Sequence, residues 1–223
     1  MNFTEKNPKL FYTLEETPQL KILEDNYALI LNELHSLRTN AKNNYWNATF
    51  PGYVDEKSKG KWQVFSFQFF GIKHPLNCSL CPKTYAVLQQ IPGLISADFS
   101  YLPAHTHIKA HKGFTPMVLR AHLGLSIPNK CGIRLEHETR KWEEGKLLVF
   151  DDSFEHEAWN ESDEDRLVLM LDIVNPRWEY SAEQINRYKI ETLNDEFMLS
   201  IFPKEKWQYF LEKGEFDVFP AIT

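Results

Sequence analysis

Three stretches of the chain set imidazoles and guanidiniums among apolar residues: HIKAHKGFTPMVLRAHLGL at 107–125, FDDSFEHEAW at 150–159 and DRLVLMLD at 165–172. The side chains in them that could do chemistry are His111, Arg120, His122, His156 and Arg166. Neutral imidazole is a common ligand for transition metals. A guanidinium stays charged and grips a planar carboxylate through two parallel hydrogen bonds. Together these groups would suit a metal and carboxylate site. The plainer alternative is a few polar side chains turned to water.

Side-chain alternation bears on that choice. If Val118–Ile127 is a strand, Leu119, Ala121, Leu123, Leu125 and Ile127 fall on one face, and Val118, Arg120, His122, Gly124 and Ser126 on the other. The first face is wholly apolar and must pack. The second would face water on an open sheet but would line the interior of a closed two-sheet barrel, where an arginine needs an anion. In DRLVLMLD, Leu167, Leu169 and Leu171 share one face, and Arg166, Val168 and Met170 the other. One arginine on an otherwise apolar face reads as a buried anchor for a carboxylate. After the DDS turn, Phe154, His156 and Ala158 alternate onto one face. A histidine in such company is, taken alone, more often a core or surface residue than a ligand.

The elements that must hold these residues follow from the same patterns. Short strands of period two run from about 94 to 176, separated by PNKCG, WEEGK, DDS and NESDED, as in an all-β sandwich or barrel. Gln63–Phe70 reads as a further strand. Leu20, Leu23, Tyr27, Ile30, Leu31, Leu34 and Leu37 predict an amphipathic helix over 18–38. Residues 40–62 read as loop, and 83–91 as a short helix opened by Pro82. Ser181 to Gln184 resembles a capping box opening a helix to about Phe202, with a last helix over 204–213. The chain is therefore expected to be a single unit: a helical and loop region at 1–62, a β core at 63–178 and C-terminal helices at 179–223.

Composition sets bounds. With 223 residues, 43% hydrophobic and 25% charged, the chain can bury a sizeable core. A net charge of −6 without a basic run argues against nucleic acid as partner. No stretch has the length of a signal-peptide core or a membrane span, so the expected location is cytoplasmic. Three cysteines, an odd number, fit reduced thiols, and the lone Cys78–Cys81 CxxC reads as structural, with only His74 near enough to extend it into a metal site.

The segments HIKAHKG, RAHLGLSIP, WEEGKLLVFDDSFEHEAWN and DRLVLMLDIVNP, in this order and spacing, resemble the aspartyl/asparaginyl β-hydroxylase family over roughly residues 60–178. That resemblance implies a mainly β fold, a double-stranded β-helix or cupin-type jelly roll, with flanking helices. It also implies an iron(II)- and 2-oxoglutarate-dependent dioxygenase that uses O2 to hydroxylate an unactivated C–H of an amino-acid or peptidyl, aspartyl- or asparaginyl-like substrate, releasing succinate and CO2. By position, His111 and His156 would be the iron ligands. Gly113 falls where relatives of the family carry a ligating carboxylate, and water would fill that place. Arg120 and His122 match the residues at the C1 carboxylate end of 2-oxoglutarate, Arg166 the partner of its C5 carboxylate, and Ser100 a supporting hydroxyl. Asp151 and Asp152 read as turn residues, or as groups orienting the imidazoles. His105 and His107 read as a strand-edge pair, with substrate contact as the alternative. Trp142 reads as packing, and Cys131 as a hairpin residue.

The chain departs from the animal enzyme of that family. Its N-terminal helix is too short for a repeat array, it shows no membrane anchor, and about forty-five residues follow Asn175-Pro176. A lid, a dimer arm and a pocket wall are the roles open to them. The substrate is therefore not carried over; small molecule, peptide and acyl chain stay open. Two rival functions go with the same residues. One is a halogenase, with chloride in the place left by Gly113. The other is a non-catalytic jelly roll that binds an anion.

Overall fold

The computed structural model describes residues 9–39 and 46–217. Twelve strands run through it: β1 Phe11–Tyr12, β2 Asn47–Ala48, β3 Gln63–Phe69, β4 Ile72–Lys73, β5 Leu94–Leu102, β6 Thr106–His111, β7 Val118–Ser126, β8 Cys131–Leu135, β9 Glu138–Arg140, β10 Leu147–Phe150, β11 His156–Asn160 and β12 Arg166–Val174. The larger sheet has the order β1-β10-β7-β12-β5-β3-β2, with β4 on β3, and the smaller has the order β6-β11-β8-β9. Every ladder in both sheets is antiparallel. The fold is mainly β, a jelly roll with flanking helices, as expected from the spacing of the short strands.

Alternation along β7 and β12 sorts the core into two layers. Leu119, Ala121, Leu123, Leu167, Leu169 and Leu171 face outward from the larger sheet and pack under helices α1 Lys21–Asp25 and α2 Tyr27–Thr39 through Leu23, Ile30 and Leu34. Val168 and Met170 face the other way, joining Ile108, Ile133, Leu135, Trp142, Phe150 and Ala158 between the sheets. Arg120, His122 and Arg166 belong to this second face. They point into the sandwich and not to water.

Several boundaries differ from expectation, each for a local reason. The helix predicted over 18–38 is a 3-10 turn, Pro18–Leu20, then α1 and α2, parted at Asn26. The Asn26 side chain donates to the Ile22 carbonyl at 2.8 Å, competing with the helix. Of the predicted loop 40–62, residues 40–45 lie outside the described residues; in the rest, Asn47–Ala48 pair with β3 as β2, and residues 54–59 lie along β6. Asp55 N–H donates to the His107 carbonyl at 2.9 Å and Lys59 N–H to that of His105 at 3.2 Å, covering the free edge of the smaller sheet. The helix expected at 83–91 is α4, Pro82–Leu88, preceded by an unexpected α3, Pro75–Leu80. Cys78 and Cys81 are buried where these two meet. Among the described residues no helix is long and apolar enough to cross a membrane.

The C-terminal segment folds back onto the sheets. Helix α5, Ala182–Glu191, opens with the expected capping box of Ser181 and Gln184. It does not run on to Phe202: Asp195 starts a new helix, α6 Glu196–Ile201, by accepting from Met198 N–H at 2.9 Å. Helix α7, Lys204–Lys213, matches expectation and ends at Gly214, whose φ of +79° is the left-handed value glycine tolerates. Ile185 of α5 is buried with Phe70, Ile95, Met117 and Val118.

Candidate active site

His111 and His156 are cross-strand partners in the β6–β11 pair. Their ring centroids are 4.2 Å apart. The His111 Nδ1 lies 2.7 Å from the Lys109 carbonyl and the His156 Nδ1 2.9 Å from that of Phe154. A carbonyl can only accept, so each Nδ1 carries the proton and each Nε2 keeps its lone pair. Burial lowers both pKa values, that of His156 to about 3, so the rings are neutral, the form that ligates a metal. The Tyr53 ring stacks on His111 at 4.4 Å. The covering of the β6 edge by residues 51–59 brings it there.

Gly113 is built against Asp152. Its N–H donates to the Asp152 carbonyl at 2.6 Å, and a Cβ there would sit 2.3 Å from the Asp152 carboxyl carbon. The Asp152 carboxylate thus fills the space that a side chain at 113 would need. Asp151 forms the turn: its Oδ1 accepts from the Ser153 N–H at 3.0 Å and the Ser153 hydroxyl at 2.6 Å. The turn reading holds for Asp151. Asp152, by contrast, is buried and ion-paired to Arg120 at 3.1 Å.

Arg120 corrects one expectation. It does point inward, but not toward an empty space: its Nε and Nη2 hold Asp172 at 2.8 and 2.9 Å. Asp172 is its direct partner across the β7–β12 ladder. Burial opposes the charged guanidinium, yet Asp172 and Asp152 together hold its pKa above the usual value. The sequence reading overlooked Asp172, which shares the inward face of β12 with Arg166, Val168 and Met170.

Arg166 and His122 are the unsatisfied pair. Arg166 is only 1% exposed, and its Nε and Nη1 have no hydrogen-bond partner among the described residues. Its guanidinium lies 4.9 Å from the Trp142 ring centroid. Burial lowers its pKa to about 10, still cationic at neutral pH. The Trp142 Nε1 donates to His122 Nδ1 at 3.1 Å, which puts the ring proton on His122 Nε2; that buried atom has no partner among the described residues. Burial first, then the Arg166 and Arg120 charges, hold His122 neutral. Trp142 therefore does more than pack: it sets the His122 tautomer and lies under Arg166. Ser100 is buried on β5 opposite Val168, on the same inner face as Arg166. Its hydroxyl accepts from Trp62 Nε1 at 3.0 Å, which leaves its own proton to donate.

His105 and His107 stand at the rim, paired with Asp163 and Glu157 at 2.9 Å each. The strand-edge reading fits them.

The site is therefore a pair of neutral imidazoles with free Nε2 atoms, and beside it an inward guanidinium, imidazole N–H and hydroxyl without an acceptor. Among the described residues no three His, Cys, Asp or Glu side chains converge as a metal cage; His111 and His156 are the pair that could hold an ion. An ion with open coordination positions and a carboxylate cosubstrate suit this donor set.

Comparison with known proteins places the chain in a family. The sequence profile described as Aspartyl/Asparaginyl beta-hydroxylase matches residues 24–176. The ornithine lipid ester-linked acyl 2-hydroxylase of Rhizobium tropici is 45% identical over 119 residues, 52% of this chain and 42% of that protein. The human aspartyl/asparaginyl beta-hydroxylase is 37% identical over 166 residues, 72% of this chain and 21% of that protein. This chain thus spans less than half the length of either relative. Among solved structures, a Pseudomonas putida prolyl-4-hydroxylase overlays with a TM-score of 0.48 at 16% identity, over 71% of this chain and 100% of that one. The chain belongs to the aspartyl/asparaginyl beta-hydroxylase family.

Proposed function

We propose that this chain is an iron(II)- and 2-oxoglutarate-dependent hydroxylase. The observation that carries the reading is the buried Arg166 guanidinium, with His122 Nε2–H beside it, lacking an acceptor next to two neutral histidines. A guanidinium so desolvated costs several kcal/mol unless an anion meets it. A carboxylate-bearing cosubstrate meets it and reaches toward the histidine pair.

His111 and His156 would hold the metal through Nε2, with the Lys109 and Phe154 carbonyls fixing the ring orientations. Arg166 and Ser100 would hold one carboxylate, and His122 Nε2–H would donate to the other end of the cosubstrate. When bound, iron, 2-oxoglutarate and O2 supply the oxidation, one oxygen atom ending in succinate and the other in the hydroxyl, with CO2 released. Arg120 would act through Asp152, holding its carboxylate beside Gly113 and away from the ligand face. The apolar neighbours Val168, Met170, Phe150 and Ala158 keep bulk water out.

A halide would have to share the space beside Gly113 with the Asp152 carboxylate, which weighs against halogenation. The unpaired cation alone would also suit a non-catalytic anion binder, but such a module has no use for two Nε2 lone pairs 4.2 Å apart, ring to ring. The relatives' names put hydroxylation on an acyl chain in one and on aspartyl or asparaginyl groups in the other, so surroundings beyond the shared core select the substrate.

The test is an anaerobic titration with iron(II) and 2-oxoglutarate, followed in the visible, then admission of air and assay of succinate. A charge-transfer band that is absent in His111→Ala and weakened in Arg166→Ala, with succinate formed in air, supports the reading. No band at saturating iron overturns it.

A further inference from the structure

The matched family profile ends at residue 176, yet the segment after it lies against the site. Lys189 of α5 places its Nζ 4.0 Å from the Phe114 ring centroid and 5.6 Å from that of Phe70. Phe114 is three residues beyond His111, and its ring also meets Tyr188 at 5.9 Å. Lys189 makes no ion pair within 4 Å among the described residues. The charges that reach it are those of Asp195 and Asp152. Asp195 is committed to capping α6, and Asp152 to Arg120. The Asp195 charge also reaches Tyr53, the residue stacked on His111. On the other side, Phe50 packs on Phe197 of α6 at 5.0 Å.

Phe50 and Phe70 hold φ of +39° and +44°. That region is strained for a bulky side chain, at about 1–3 kcal/mol each.

We propose that Lys189 is a specificity-determining residue: its ammonium, set on an aromatic wall at the mouth of the site, receives an anionic group, a carboxylate or phosphate, on the substrate. The claim rests on the oxygenase reading for the word substrate. A half-buried ammonium that lies over aromatic rings and has no ion pair within 4 Å among the described residues gains from an anion brought in from outside. The Phe114 ring, 38% exposed, offers the apolar body of such a molecule a surface. The carboxylate could belong to an acyl chain or to a peptide side chain, and the probes below separate these.

The test uses the full chain with Mn(II) and saturating 2-oxoglutarate, so that Arg166 is occupied. Isothermal titration compares octanoate, octyl phosphate, N-acetylaspartate amide and neutral octanamide in wild type, Lys189→Met and Lys189→Arg. The expected result is that at least one anion binds, that Lys189→Met weakens it about tenfold, that Lys189→Arg largely restores it, and that octanamide is indifferent to the variants. Preference for octanoate or octyl phosphate assigns an apolar substrate, and preference for the aspartyl probe a peptidyl one. Anion binding unchanged in Lys189→Met, or absent in wild type, overturns the proposal. A separate titration of Mn(II) and 2-oxoglutarate alone keeps the two claims apart. If that fails while the Lys189-dependent anion binding stands, the oxygenase reading falls and the anion seat remains.

Discussion

Two arginines from neighbouring strands enter the same sandwich and meet opposite surroundings. Arg120 on β7 is enclosed by Asp172 and Asp152. Arg166 on β12 meets the Trp142 face and leaves two of its nitrogens unpaired. The first is finished within the fold and behaves as structure. The second is left unfinished, and only a ligand completes it. Burial alone does not separate them, since both are deeply desolvated; the acceptors within reach do.

The contrast is easiest to break at Arg120. Arg120→Met would leave two buried carboxylates without their cation and cost about 3–5 kcal/mol in urea unfolding. If that variant were as stable as wild type, Arg120 would not be the structural partner. Arg166→Met should do the reverse in the ligand-free protein. Exchanging an unpaired buried charge for an apolar side chain leaves stability unchanged or raises it. The loss should appear in ligand binding, with 2-oxoglutarate affinity down by about 2–5 kcal/mol when titrated with Mn(II) present. Equally, a 100-fold excess of 2-oxoglutarate over the wild-type Kd should stabilise wild type by about 2.7 kcal/mol and Arg166→Met by less than about 1 kcal/mol in a thermal shift.

Trp142→Phe sharpens the same comparison. It keeps a ring under Arg166 but removes the N–H that fixes His122, so 2-oxoglutarate binding should weaken by about 1–2 kcal/mol, with a far smaller change in Tm. The smallest effect concerns Asp98, a third carboxylate near Arg120. Burial, and then the Asp172 charge, push its pKa up to about 7. A carboxyl raised on folding favours the folded state below the unfolded pKa and loses that contribution as pH rises through about 7. Asp98→Asn should therefore gain stability relative to wild type at pH 8 compared with pH 5. A pH-independent difference would remove Asp98 from the charge cluster.

What could be read in the sequence follows the same division. Alternation on β7 and β12 is a local property, and it placed Arg120, His122 and Arg166 inward before any pairing was known. Whether an inward arginine is already satisfied depends on register between strands far apart in sequence. Asp172 faces Arg120 across 52 residues of chain, a relation no local pattern encodes. Residues 46–62, expected as loop, were hidden for a similar reason: their order comes from pairing with β3 and from hydrogen bonds along β6. The histidine pair was visible only through the family resemblance, because His156 among apolar neighbours looks like any core histidine. Helix α3 and the split between α5 and α6 were missed because a proline start and an Asp cap within a continuous apolar pattern are weak signals. Lys189 gave no signal at all, as one lysine in a polar helix.

The fit between Gly113 and Asp152 has a consequence for mutational paths. One volume holds one carboxylate, and at present position 152 supplies it. Gly113→Asp alone would force two acids into that volume and strip Arg120 of a partner. Asp152→Gly alone would empty it. A carboxylate at 113 is therefore reached only by the paired exchange Gly113→Asp with Asp152→Gly. Each single step passes through a destabilised chain, so the two positions should show strong epistasis and be accessible together rather than in sequence.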